Sequence, residues 1–139
     1  MNRSGISILG RAAALLCLGI ASAQADAPQM AICAIEQSIA CPPFEPCERS
    51  LPASVNLPVL LKIDRTAGVI LSRRESGEER TSVIGTDTGD DAVHVLQGSE
   101  DGKPWSMRVD IETGRFTLTS AQPDAGYLAF GLCSSSILK

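Results

Sequence analysis

Imidazole and thiol chemistry near neutral pH rests on few side chains in this 139-residue sequence: one histidine, His94, and five cysteines, Cys17, Cys33, Cys41, Cys47 and Cys133. His94 sits in Ala92-Val93-His94-Val95-Leu96, where alternation sets it on one face with Leu96 and opposite Val93 and Val95. No spacing supplies it with a nucleophile and an orienting acid, so it reads as a partly exposed strand residue rather than a general base. The cysteines show no C-x-x-C pair and no clustered histidine, which argues against a metal site. Asp87, Asp90 and Asp91 surround Gly89, with Glu100 and Asp101 in the next loop, and such oxygen ligands suit calcium. Their spacing is not that of an EF-hand, and Asp beside Gly is ordinary turn chemistry. A glycoside hydrolase would need sugar platforms, yet the aromatic residues are only Trp105, Tyr127, Phe44, Phe116 and Phe130. No glycine-rich phosphate cradle occurs. The sequence predicts no catalytic residue, no cofactor and no metal: a chain that is not an enzyme.

Disulfides are the better use of the cysteines. Residues 1–25 have the plan of a secretory signal peptide: Arg3 and Arg11, an apolar run from Ala12 to Ala21, and Ala23-Gln24-Ala25 as a cleavage site. The run is too short to span a bilayer as a helix, which takes roughly 20 residues. Cleavage near Ala25 removes Cys17 and leaves four cysteines in a 114-residue domain, periplasmic or secreted, where an even count reads as two bridges. Three pairings exist. The preferred one joins Cys41 to Cys47 across Pro42-Pro43-Phe44-Glu45-Pro46 and Cys33 to Cys133 across the whole domain. Its main rival is Cys33–Cys41 with Cys47–Cys133.

The shortened chain carries ten basic and sixteen acidic side chains, a net charge of −6 with His94 neutral. Nucleic acid and anionic lipid are poor partners for such a surface, because a basic patch supplies most of that attraction. The densest charge cluster, Ser72 to Arg80, holds Arg73, Arg74 and Arg80 among Glu75, Glu78 and Glu79. It reads as a solvated hairpin end, or as an interaction loop able to enter a partner's cleft.

These residues must be positioned by strands. Residues 26–52 form a cysteine- and proline-rich N-terminal cap in which Met30 to Cys41 is ambiguous between a short helix and a strand. From residue 53 to 139, short runs rich in Val, Ile, Leu and Thr alternate with turn residues, as antiparallel β domains do. Strands are predicted over 55–64, 69–73, 80–86, 92–97, 105–111, 115–121 and 127–133. Val55, Leu57, Val59, Leu61 and Ile63 share one face of the first, with Pro58 placing its first half at an edge or bulge. Trp105, Met107 and Val109 face a core with Phe116 and Leu118. The fold class is all-β: an antiparallel meander of about seven to eight strands forming a small barrel or sandwich, with a disulfide-stapled N-terminal cap.

Two resemblances attach to particular residues. Trp105 to Asp110, Thr113 to Leu118 and Tyr127 to Cys133 together resemble the C-terminal half of small exported alphaproteobacterial β proteins of unknown function, which implies an extracytoplasmic β domain. The overall plan is similar to that of the C-type lysozyme inhibitor family, with Ser76-Gly77 matching the start of its S-G-x-x-x-x-Y motif. The tyrosine and lysine that complete the motif are absent, since Thr81, Ser82 and Val83 follow Arg80.

The functional expectation is a non-catalytic domain that binds in the cell envelope, probed best by its protein partners. The alternative is a periplasmic inhibitor of a lysozyme or protease acting through Arg73, Arg74 and Arg80. A third and weakest reading is a small-ligand carrier, since seven or eight short strands leave an interior that side chains such as Trp105 and Phe116 largely fill.

Overall fold

The computed structural model describes residues 30–134, so the expected leader and its cleavage site lie outside the described residues. Nine strands follow in order: β1 (Met30–Cys41), β2 (Glu48–Ser50), β3 (Leu60–Asp64), β4 (Val69–Arg73), β5 (Glu79–Gly89), β6 (Val93–Glu100), β7 (Lys103–Asp110), β8 (Arg115–Ala121) and β9 (Gly126–Cys133). Consecutive strands from β3 to β9 pair antiparallel, and β1 pairs with both β3 and β9. That closes an eight-stranded barrel, and β2 is a short extra strand on the far half of β1. Barrel, not sandwich, is the architecture. Closure leaves no long unpaired edge.

The ambiguous Met30–Cys41 segment adopts its extended alternative and is a full barrel stave. A bulge between Ile35 and Gln37 bends it, so its first half pairs with β3 and its second half with β2. The 55–64 strand is shorter than its alternation predicts. Pro52–Val55 is a turn of 3-10 helix ended by Asn56 in the left-handed region (φ 58°), and pairing begins only at Leu60. Two prolines explain this, because Pro52 suits the first turn of a helix and Pro58 has no N–H for a ladder. Both disulfides are the preferred ones, Cys33–Cys133 and Cys41–Cys47.

Inward positions of the lower half pack as an apolar core of Cys33, Ile63, Leu96, Met107, Val109 and Phe116. The turns at this end share one device. Asp64 accepts the N–H of Ala67, Asp90 those of Ala92 and Val93, and Asp110 the N–H and hydroxyl of Thr113. The N–H groups of Ala92 and Val93 hold the Asp90 carboxyl below the usual range, and the Thr113 N–H and hydroxyl do the same for Asp110.

The seam between first and last strands is tight. A Cβ on Gly131 of β9 would lie 1.9 Å from the Ala34 carbonyl oxygen and 2.7 Å from the Phe116 ring. Gly131→Ala is therefore expected to cost about 1–3 kcal/mol as overpacking at a site where backbone must yield. Urea unfolding checks this, and an unchanged midpoint would contradict the closure described.

Candidate functional site

The two halves of the barrel differ. Above the apolar core the interior opens into a cavity of about 360 Å³ at the end where β4–β5, β6–β7 and β8–β9 turn. Eight-stranded barrels have interiors that side chains just fill or that hold one small ligand, and this one does both, half each. The expectation that Trp105 and Phe116 fill the interior is corrected accordingly: Phe116 is in the core, whereas Trp105 borders the open space.

Strand alternation brings the lining together. Registers Trp105↔Ser120 and Ser120↔Tyr127 set three inward residues of β7, β8 and β9 in one row. One layer deeper, Leu118 and Ala129 follow beside Met107. Across the barrel, Ser72 of β4 is in register with Arg80 of β5. Arg80 donates from Nε to Glu100 of β6, and the Ser82 hydroxyl binds the other oxygen of the same carboxylate. Arg80 and Glu100 side chains are only 16% and 17% exposed, so this is a largely buried ion pair in the cavity wall. Burial acts most strongly on Glu100 and would raise its pKa. The Ser82 and Arg80 hydrogen bonds, with the Arg80 charge, together outweigh it and hold the carboxyl below its ordinary 4.5.

The 3-10 turn and the residues after it cross the cavity mouth. Leu57 packs on the core cluster, and the Arg80 guanidinium reaches the Asn56 carbonyl at 3.4 Å. The crossing is tied to the sheet where Ile35 N–H donates to the Val59 carbonyl at 2.8 Å, beside the β1 bulge. On the opposite wall the Trp105 indole lies close over Gly98, where a Cβ would meet it at 2.5 Å. Glycine at 98 gives the indole its place.

Two buried donors in this region have no hydrogen-bond partner among the described residues, Trp105 Nε1 and Arg74 Nε, and both residues line the cavity. His94 Nδ1 is a third such atom. It lies 3.4 Å from an Asp87 oxygen without a hydrogen bond to it, while Asp87 takes the Arg65 Nε at 2.7 Å. The His94 side chain is 16% exposed, the partly exposed strand residue its sequence context predicts.

The predicted loop residues separate. Arg73 pairs with Glu79 at 2.5 Å and Arg74 with Glu78 at 2.8 Å, both within their own hairpin, while Arg80 turns inward to Glu100. Arg73 is two-thirds exposed, and its pair contributes little to stability. The acidic turn residues do not converge: Asp90 caps its own turn and Asp87 serves Arg65. Among the described residues, no group of three histidine, cysteine or carboxylate side chains is placed to hold a metal ion. Sequence reasoning missed Ser72, Ser82 and Ser120 as cavity residues. Their signal is a polar side chain on a strand face that elsewhere is apolar.

Compared with family models, with curated proteins and with solved structures, the chain shows no match.

Proposed function

We propose that this chain is a non-catalytic binding protein that holds a small molecule in the open half of its barrel. The observation that carries the reading is the cavity itself, with its apolar floor, its few convergent polar groups and its two buried donors without partners. That is the general make-up of small-molecule sites. The two disulfides suit an extracytoplasmic location, and no helix among the described residues is long and apolar enough to cross a membrane. Export by cleavage near Ala25, into the periplasm or beyond, is part of the same proposal.

Native mass spectrometry of the protein recovered from an oxidising compartment tests it. The expected spectrum shows an N-terminus at Asp26, two fewer pairs of thiol hydrogens, and an adduct of a few hundred daltons that is lost on denaturation. An adduct-free protein whose melting temperature no small-molecule panel raises would remove the carrier reading.

One observation favours binding to an envelope protein as a second reading. Ile32, Leu60, Leu71 and Val83 are 54%, 56%, 38% and 61% exposed on the outer face of β1, β3, β4 and β5. Adjacent exposed apolar side chains of that kind mark interaction surfaces. The inhibitor reading draws less support, because Arg73 and Arg74 are engaged inside their own hairpin and Arg80 belongs to the cavity wall.

A further inference from the structure

We propose that the molecule held in the barrel is an amphipathic organic anion, of the class of a medium-chain monocarboxylate, with its head at the cavity mouth and its chain toward the core. This rests on the carrier reading above and adds the chemistry of the ligand to it.

The first support is the pair of orphaned donors. Neither an indole nor a guanidinium can accept a hydrogen bond, so Trp105 Nε1 and Arg74 Nε, enclosed on two residues of the cavity wall, are satisfied only when a small side-chain rotation brings them to an acceptor held in the cavity. A carboxylate has two oxygens and accepts at both. The second support is charge. In a chain of net charge −4, the cavity wall carries three cationic side chains, Arg74, Arg80 and Lys103, against one anionic, Glu100. Arg80 and Ser82 consume Glu100, and Glu78 outside the wall takes one nitrogen of Arg74. Lys103 has no ion pair among the described residues. Positive charge is thus left over at the mouth of an otherwise acidic molecule.

The third support is the floor. Leu61, Ile70 and Leu118 line the deeper wall, above the layer of Met107. Lys103 and Met107 are four residues apart on β7, roughly 13 Å at about 3.3 Å per residue, which suits an extended hydrocarbon chain. A neutral lipid could offer an acceptor to the two donors but would leave the charge of Lys103 unanswered. A cation would meet Arg74, Arg80 and Lys103.

Trp105 is the sole tryptophan and lines the cavity, so its fluorescence reports on a ligand held there. Three probes of equal chain length are titrated below their micellar concentrations: decanoate, decanol and decyltrimethylammonium. Decanoate is expected to bind at least tenfold more tightly than decanol, and the cation most weakly. In Lys103→Met, whose fold is checked by its melting curve, the decanoate-to-decanol ratio is expected to fall to near one. Decanol binding as tightly as decanoate, or a ratio unmoved in Lys103→Met, overturns the anionic ligand and leaves the carrier reading standing. A Trp105 signal that none of the three probes changes overturns both.

Discussion

Replacing Cys33 and Cys133 together with alanine is expected to lower stability by about 4–5 kcal/mol, the largest single loss available in this chain. The two residues are 100 positions apart, and the loop-entropy model assigns about 4.7 kcal/mol to a cross-link of that span. Cys41–Cys47 spans six positions, and the same model gives it about 2 kcal/mol. Cys33 is also fully buried beside the core, so its truncation leaves a small void in addition. For a domain of this size each kcal/mol moves the melting temperature by several degrees, so the long-range variant is expected to melt on the order of 20 °C lower. Thermal unfolding of the two double variants side by side is the measurement. Equal shifts would show that the barrel seam gains nothing from its covalent tie beyond what β1–β9 pairing already provides.

Glu100→Ala is the second large effect. It strands the Arg80 guanidinium and the Ser82 hydroxyl in the cavity wall without their acceptor. Breaking a buried pair by removing one member costs about 3–5 kcal/mol. Here the open cavity lets water reach the site, so about 2–3 kcal/mol is expected. The pH dependence has a definite sign. Because the folded chain holds Glu100 below its ordinary 4.5, the folded state binds fewer protons than the unfolded state between the two values. The ion pair's stabilisation is therefore complete above 4.5 and is lost as pH falls through the lower, folded value. Urea midpoints measured down a pH series should show that loss in the wild type, and a shallower one in Glu100→Gln. Asp90 and Asp110 add to the acid limb in both proteins, since their turn hydrogen bonds lower them too. Identical acid limbs would remove Glu100 from the account.

Several strands could be read directly. Val69–Arg73, Arg115–Ala121 and the last strand have clear alternation and turn residues at both ends, and the structure places them within a residue of expectation. The segment before β3 misled for a physical reason. Val55, Leu57 and Val59 alternate like a strand, but Pro52 starts a helical turn and Pro58 removes a donor, so local backbone chemistry outweighed the pattern. Met30–Cys41 is ambiguous because Ala31, Ala34 and Ala40 favour a helix whereas Ile32, Ile35 and Ile39 favour a strand. Its place is fixed by partners a hundred residues away, which no local window contains. The cavity was partly legible. Ser72, Ser82, Glu100 and Ser120 are polar where the strand pattern faces inward, and a filled barrel would have had apolar residues there. What alternation alone does not give is that these four meet at one end, since that depends on the stagger of eight strands around a closed ring.

The seam between β1 and β9 also bears on the order in which the chain can assemble. A polypeptide delivered N-terminus first presents Cys33 and the first stave long before Cys133 exists to meet them. In that interval Cys33 has Cys41 and Cys47 as its near neighbours, and contacts close in sequence form faster than distant ones. Cys41 and Cys47 are six positions apart, so their short loop is expected to close first and to leave Cys33 for the last strand. On this view the minor disulfide is a timing device. Its loss should be felt less in how firmly the barrel stands than in how often it is built with the wrong partners joined.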